Sequence, residues 1–387
     1  MSNTPFFESE LFAELKEDLT QSSRFTATYR IVAPDYEEAK KLAFGICVEQ
    51  TVECPYELVE GTPIGDSIVG QIEDLKKAEP GAYYATISYD PTAVGNEMAE
   101  LINMLFGNTS LQPGIKLMSF DLPEAMYDNY PGPRFGRTGI RDLCGVPRGP
   151  ILMSAIKPLG RSPKELGKMV YDLAMGGCPI IKDDHSLMNQ DYAPFEERVL
   201  QCVMALADAK EKTGKKSMYI ANCTADGLQF LDRAYKAKEI GADGIMAAPA
   251  ITGFTLIRDL ARDPDFNLPI FLHPCFSGPQ VLSRESGISP SRLSGADAVI
   301  FTSFGGRFSF SRETCTNICE GTNEKMAYLR PIFPIPSGGM RWQLFKDMYK
   351  TYGADTIFLV GGALQTEGPN LTENVKFFLQ KLEEAQH

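Results

Sequence analysis

Gly176-Gly177-Cys178-Pro179-Ile180-Ile181-Lys182-Asp183-Asp184-His185 is a short apolar segment that delivers a lysine and two carboxylates together at its end. In a parallel α/β barrel the carboxyl ends of the strands form the active-site face. A buried strand that finishes Lys-Asp-Asp therefore places charge where chemistry occurs in that architecture.

Working outward from this stretch, the chain after residue 150 repeats strand-then-helix units of roughly 25 to 35 residues. The apolar strands are expected at Ile151–Ile156, Pro179–Ile181, Ser217–Ala221, Gly244–Ala248, Pro269–Leu272, Ala298–Phe301, Ile332–Pro336 and Thr356–Val360. Amphipathic segments such as Pro163–Met175, Pro194–Lys210 and Gln343–Tyr352 follow most of them. Eight such alternations are the signature of a (β/α)8 barrel, with a doubly wound open sheet as the competing arrangement. Before residue 135 the order is different. Strands are expected at Phe25–Val32, on either side of Pro80-Gly81, and at Ile115–Leu122, with helices at Asp35–Val48 and Asn96–Phe106. That β-α-β-β-α-β order is the split βαβ, ferredoxin-like pattern. The Pro- and Gly-rich loop at Tyr130–Gly136 separates the two, giving an α+β domain over 1–135 and a TIM barrel over 136–387.

A chain of 387 residues suits two such domains. A net charge of −12 argues against a nucleic acid or an anionic membrane as partner. Nine cysteines without paired spacing point to free thiols in a reducing compartment. Met1–Glu10 shows no basic and apolar leader pattern, and no apolar run approaches the ~20 residues that span a bilayer, so a cytoplasmic protein is expected.

Three barrel strands end in ionisable groups: Lys157 after the first, Lys182 to His185 after the second, and His273 after the fifth. Singly, each reads as a satisfied polar residue; together on one rim they read as a site. Mg2+ takes hard oxygen ligands, and an ammonium cannot ligate it, so Lys182 would serve only as an anionic carbamate. Asp184, two residues on, shares its face while Asp183 points elsewhere. Lys157 is the candidate proton carrier, and His273 the group that orients or protonates a substrate hydroxyl. Gly-rich turns close the last two strands: Ser337-Gly338-Gly339 and Gly361-Gly362. Their backbone N–H groups suit a phosphate. Gly305-Gly306-Arg307 is either a lid bearing a cation or an exposed turn.

The run around Lys182 closely resembles the metal-site motif of the RuBisCO superfamily, and the resemblance extends from about Phe25 to Leu379. It implies a carbamylated Lys182 that holds Mg2+ with Asp184 and the residue at His185, and proton transfer by Lys157. It further implies a catalytic Glu49 and an Asn103 near the metal, both contributed to a neighbouring subunit, hence a homodimer. His273, Ser337–Gly339 and Gly361-Gly362 match the family's strand-five histidine and phosphate turns.

Several positions depart from the carboxylases. His185 replaces a glutamate, Pro274 an arginine, and Leu159-Gly160 stand where a second lysine would be. No loop-six lysine is evident, with Arg307 the nearest cation. These losses fall on CO2 handling and on one of two phosphates. The resemblance is therefore to a non-carboxylating RuBisCO-like protein. It implies Mg-dependent enolisation of a phosphorylated keto-sugar or keto-acid: an isomerase or enolase of methylthio-sugar phosphates, or a decarboxylase of a 3-oxo sugar-acid phosphate. A ribulose 1,5-bisphosphate carboxylase and a catalytically inactive binding homologue remain the alternatives.

Overall fold

The computed structural model describes residues 23–278, 287–308 and 310–387. The reading of Met1–Glu10 lies outside the described residues. The chain divides into two compact units between Tyr130 and Pro131.

In the first unit, β1 (Phe25–Val32) buries Phe25, Ala27, Tyr29 and Ile31 and turns the intervening residues outward, as a strand covered on one face must. A helix follows at Tyr36–Glu49, started by Asp35, whose side chain accepts the Glu38 N–H at 2.9 Å. β2 (Gln71–Glu79) and β3 (Ala82–Tyr89) form a hairpin, with Gly81 at φ 82 supplying the turn. A second helix, Met98–Leu105, leads to β4 (Ile115–Asp121). The sheet is antiparallel in the order β2-β3-β1-β4, the split βαβ arrangement.

The second unit carries eight parallel strands: β5 (Ile151–Ile156), β6 (Ile180–Asp183), β7 (Met218–Asn222), β8 (Gly244–Ala247), β9 (Ile270–Leu272), β10 (Ala298–Thr302), β11 (Phe333–Ser337) and β12 (Ile357–Leu359). β12 pairs with β5, last strand with first, which an open doubly wound sheet does not allow. β11 and β12 pack side by side without a hydrogen-bonded ladder. The first unit is an α+β unit and the second a TIM barrel.

Each strand is short and almost wholly apolar because both faces are covered. One face fills the barrel with Met153, Ile180, Met218, Met246, Phe271 and Ile335, joined by Ile140 and Cys144 from the helix Gly136–Cys144. The other meets the outer helices, where Leu152, Ile181, Tyr219 and Phe301 pack on Leu166, Val199, Phe230 and Phe345. Full burial of one such side chain contributes about 1.5–3 kcal/mol, so this two-sided apolar strand is what commits the sequence to a barrel. The helix Pro163–Gly176 shows the local signals clearly. Ser162 and Glu165 form a capping box, and Gly177 ends the helix at φ 90 before the chain enters β6.

β6 runs two residues further than its apolar composition suggests, taking in Lys182 and Asp183. Both polar side chains find buried partners, so the strand need not end at Ile181. No helix among the described residues is long and apolar enough to cross a membrane.

Candidate active site

At the carboxyl ends of the barrel strands lies a cavity of about 670 Å3. Lys157, Lys182, Asp184, His185 and His273 line it, as do the turns Ser337–Gly339 and Gly361-Gly362. Strand alternation explains the selection within β6. Lys182 and Asp184 face the cavity, while Asp183 turns to the helix layer and is completely buried.

Lys182 is 2% exposed, and its Nζ donates to the Asp183 carbonyl at 2.8 Å. Burial lowers its pKa to about 8, against the opposing pull of Asp184 and Asp183. A fraction of the amine is therefore neutral near physiological pH, the form whose lone pair can attack CO2. Burial also disfavours the Asp184 charge, but the His185 hydrogen bond and the Lys182 ammonium outweigh it and hold this carboxyl well below the usual range. Asp184 Oδ1 lies 3.2 Å from His185 Nδ1, and Oδ2 lies 3.6 Å from Lys157 Nζ.

The His185 ring stacks on His273, with centroids 4.4 Å apart and planes 5° from parallel. Burial, then the nearby Lys182, keeps the His273 imidazole neutral, its pKa far below the usual value. His273 Nδ1 accepts the Cys275 N–H at 3.1 Å, which leaves the ring proton on Nε2. Lys157 sits against the last glycine turn: a Cβ on Gly361 would lie 2.8 Å from Lys157 Nζ. The proton carrier, the acid at the end of β6 and the turn after β12 thus meet in one mouth.

The remaining two candidates belong to the first unit. Glu49 ends the helix Tyr36–Glu49, and its Oε1 accepts from Asn108 Nδ2 at 3.0 Å, a donor shared with Glu53. Asn103 lies on the helix Met98–Leu105, its Nδ2 3.5 Å from Glu100 Oε1.

Among the described residues no trio of His, Cys, Asp and Glu is placed to hold a metal ion. Asp184 and His185 offer two donors, and Lys182 would add a third only as an anion. A carbamate there would give two oxygen donors and one imidazole nitrogen, a set that would accept a divalent cation with the imidazole as its weakest ligand for Mg2+.

Three features escaped the sequence reading. Arg341 and Phe308 line the mouth, one just past the turn after β11 and one on the loop after β10. Arg341 follows Gly338-Gly339 by two residues, and that proximity was the available signal. The stacking of His185 on His273 depends on the path of two loops and leaves no trace in spacing.

The sequence profile of the ribulose bisphosphate carboxylase large chain, catalytic domain, matches residues 138–367. This chain belongs to the RuBisCO large-chain family, on its RuBisCO-like branch. It is 34% identical to the 5-methylthioribulose-1-phosphate isomerase of Rhodospirillum rubrum, covering 92% of this chain and 96% of that one. It is 31% identical to the 2,3-diketo-5-methylthiopentyl-1-phosphate enolase of Geobacillus kaustophilus, covering 85% and 84%. The crystal structure of a RuBisCO-like protein from Rhodopseudomonas palustris superposes with a TM-score of 0.83 at 32% identity, covering 93% of this chain and 98% of that one.

Proposed function

We propose that this RuBisCO-like protein is an enzyme that enolises a phosphorylated keto compound by moving the proton beside its carbonyl. The observation that carries this is the position of Lys157 Nζ, 3.6 Å from Asp184 Oδ2 and in contact range of Gly361. A phosphate held by the backbone N–H groups of Ser337–Gly339 and Gly361-Gly362 anchors the substrate. Lys157 takes or returns the proton on the carbon next to the carbonyl. His273 donates from Nε2 to a substrate oxygen and stays neutral throughout. Lys182 as its carbamate, with Asp184 and His185, would hold Mg2+, which when bound polarises the substrate carbonyl. Glu49 and Asn103 complete the site from a second copy, so the active form is a homodimer. The nine free cysteines suit a reducing cytoplasm.

The names of the relatives support isomerase or enolase chemistry on methylthio-sugar phosphates. Proton exchange into D2O, followed by NMR on 5-methylthioribulose 1-phosphate and related keto phosphates with Mg2+ and bicarbonate present, tests the reading. Exchange is expected at the carbon beside the carbonyl. Lys157→Met should slow it by roughly 10²–10⁴-fold while ligand binding persists. A wild-type protein that binds these compounds and exchanges nothing would instead be a binding homologue.

A further inference from the structure

Next to Glu49 in the first unit lies Gln50, a polar side chain only 7% exposed. Its amide uses its full hydrogen-bonding capacity. Nε2 donates to the Asn103 carbonyl at 3.1 Å and to the Met104 carbonyl at 2.7 Å. Oε1 accepts the Thr109 N–H at 3.2 Å and the Thr109 hydroxyl at 2.8 Å. Carbonyls only accept and a peptide N–H only donates, so the amide has one orientation here.

These bonds tie the end of one helix to the end of another. The carbonyls that finish the helix Met98–Leu105 need partners from outside it. Gln50 takes those of Asn103 and Met104, and the Tyr29 hydroxyl takes that of Leu105 at 3.0 Å. The chain then passes close over the amide. A Cβ on Gly107 would lie 2.5 Å from the Asn103 carbonyl oxygen and 3.0 Å from Gln50 Nε2, so only glycine fits there. The next residue, Asn108, donates from Nδ2 to Glu49 Oε1 at 3.0 Å. Residues 49 and 50 are therefore linked rung by rung to 108 and 109, Glu49 to Asn108 and Gln50 to Thr109. The other end of the same amide grips the peptide of Asn103.

We propose that Gln50 is a positioning residue for the reaction, its amide fixing the Glu49 carboxylate and Asn103 as one rigid pair for the active site of a second copy. The proposal rests on the reading above that these two residues complete that site. Capping the helix end alone would need only the Nε2 half of the amide. The Oε1 half holds Thr109, and through its neighbour Asn108 it sets where the Glu49 carboxylate stands. Loss of this amide should act on rate more than on affinity, because the proposed phosphate turns and Lys157 belong to the barrel and stay in place.

Gln50→Met keeps the volume and removes the amide. In the full-length protein with Mg2+ and bicarbonate, proton exchange on 5-methylthioribulose 1-phosphate at saturation should fall by roughly 10²-fold, the scale of a small misplacement. KM should change by less than about threefold. Mixed dimers separate positioning from loss of fold. A Gln50→Met copy paired with a Lys182→Ala copy joins an intact barrel to an intact first unit at one of the paired sites. Random co-assembly should restore about a quarter of the wild-type rate, and Glu49→Ala mixed with Lys182→Ala should do the same. Wild-type turnover in Gln50→Met overturns the proposal, as does a loss confined to KM. So does a Gln50→Met copy that fails to recover where Glu49→Ala recovers, since Gln50 would then act through the fold at large. If Glu49→Ala does not recover either, the shared-site reading fails and takes this inference with it. A wild type that exchanges nothing defeats the enolisation reading and this inference together.

Discussion

Asp183 and Asp184 are adjacent in sequence and face opposite sides of the barrel wall. Asp183 is sealed between sheet and helices. It accepts from Arg198 Nε at 3.2 Å, from the Tyr219 hydroxyl at 2.7 Å and from the Asn222 N–H at 2.9 Å. Its partners reach on to the active-site loop. Arg198 donates to the Met188 and Ala193 carbonyls, and Asn222 Nδ2 donates to the carbonyls of His185 and Leu187. Asp184 instead opens into the mouth, with an imidazole and a lysine beside it. The end of this strand therefore carries two carboxylates of different duty: the outward-facing one holds the loop still, and the rim group is left for ligands. The buried ion pair is tied to the loop through those carbonyls, at the cost of desolvating both charges.

The largest test of this contrast is Arg198→Met. Both partners of the pair are fully buried, so removing the cation strands the Asp183 charge in the wall. A loss of about 3–5 kcal/mol in unfolding free energy is expected, read from denaturant midpoints at constant slope. A loss below about 1 kcal/mol would mean that Tyr219 and Asn222 suffice, and the supposed scaffold would dissolve.

On the rim the sign reverses. Lys182 titrates at about 8 in the folded protein against a usual 10.5, because burial disfavours its charge. Below pH 8 the ammonium is charged in both states, and the folded one bears the full desolvation cost. Above that, the folded protein releases its proton first and the unfolded chain binds more, so stability rises with pH from about 8 to 10.5. Lys182→Met should therefore stabilise the CO2- and metal-free protein at pH 7 by roughly 3 kcal/mol and abolish that rise. The same variant should lose all CO2-dependent metal affinity. A flat wild-type stability profile between pH 8 and 10.5 would deny that this amine is strained in its setting.

How much of this could be read from the chain follows the same division. The eight strands were legible because each must be apolar on both faces, and the expected segments at Ile151–Ile156 and Ala298–Phe301 lie on β5 and β10. The common face of Lys182 and Asp184 follows from a period of two. The partners of Asp183 were not legible: Arg198 sits on the next helix and Tyr219 on the next strand, joined only by the fold. The end of β6 was set too early for the same reason, since satisfaction of Lys182 and Asp183 is a tertiary fact. Glu49 and Asn103 came from resemblance alone, and no local physics singles them out. Arg341 carries no signal of its own beyond its place two residues after Gly339.

The smallest stability effect, and the most discriminating, is expected for Asp184→Asn. Its side chain contacts Lys157 at 3.6 Å, beyond hydrogen-bond range, and the Ser186 N–H at 3.2 Å, which an amide oxygen can still accept. The exchange also removes one negative charge from a mouth already rich in cations. The repulsion so exposed is softened by solvent, because His185 and Lys157 are each substantially exposed. Because the His185 hydrogen bond and the buried Lys182 ammonium favour the charged carboxyl, the exchange should still cost about 1–2 kcal/mol, less than Arg198→Met, while CO2-dependent metal binding should weaken by at least ~100-fold, measured by calorimetry on the bicarbonate-treated protein. The ratio of these two effects is the informative quantity. If Asp184→Asn destabilised the fold as much as Arg198→Met, the rim carboxylate would be as structural as its neighbour, and the separation of duties across the barrel wall would fail.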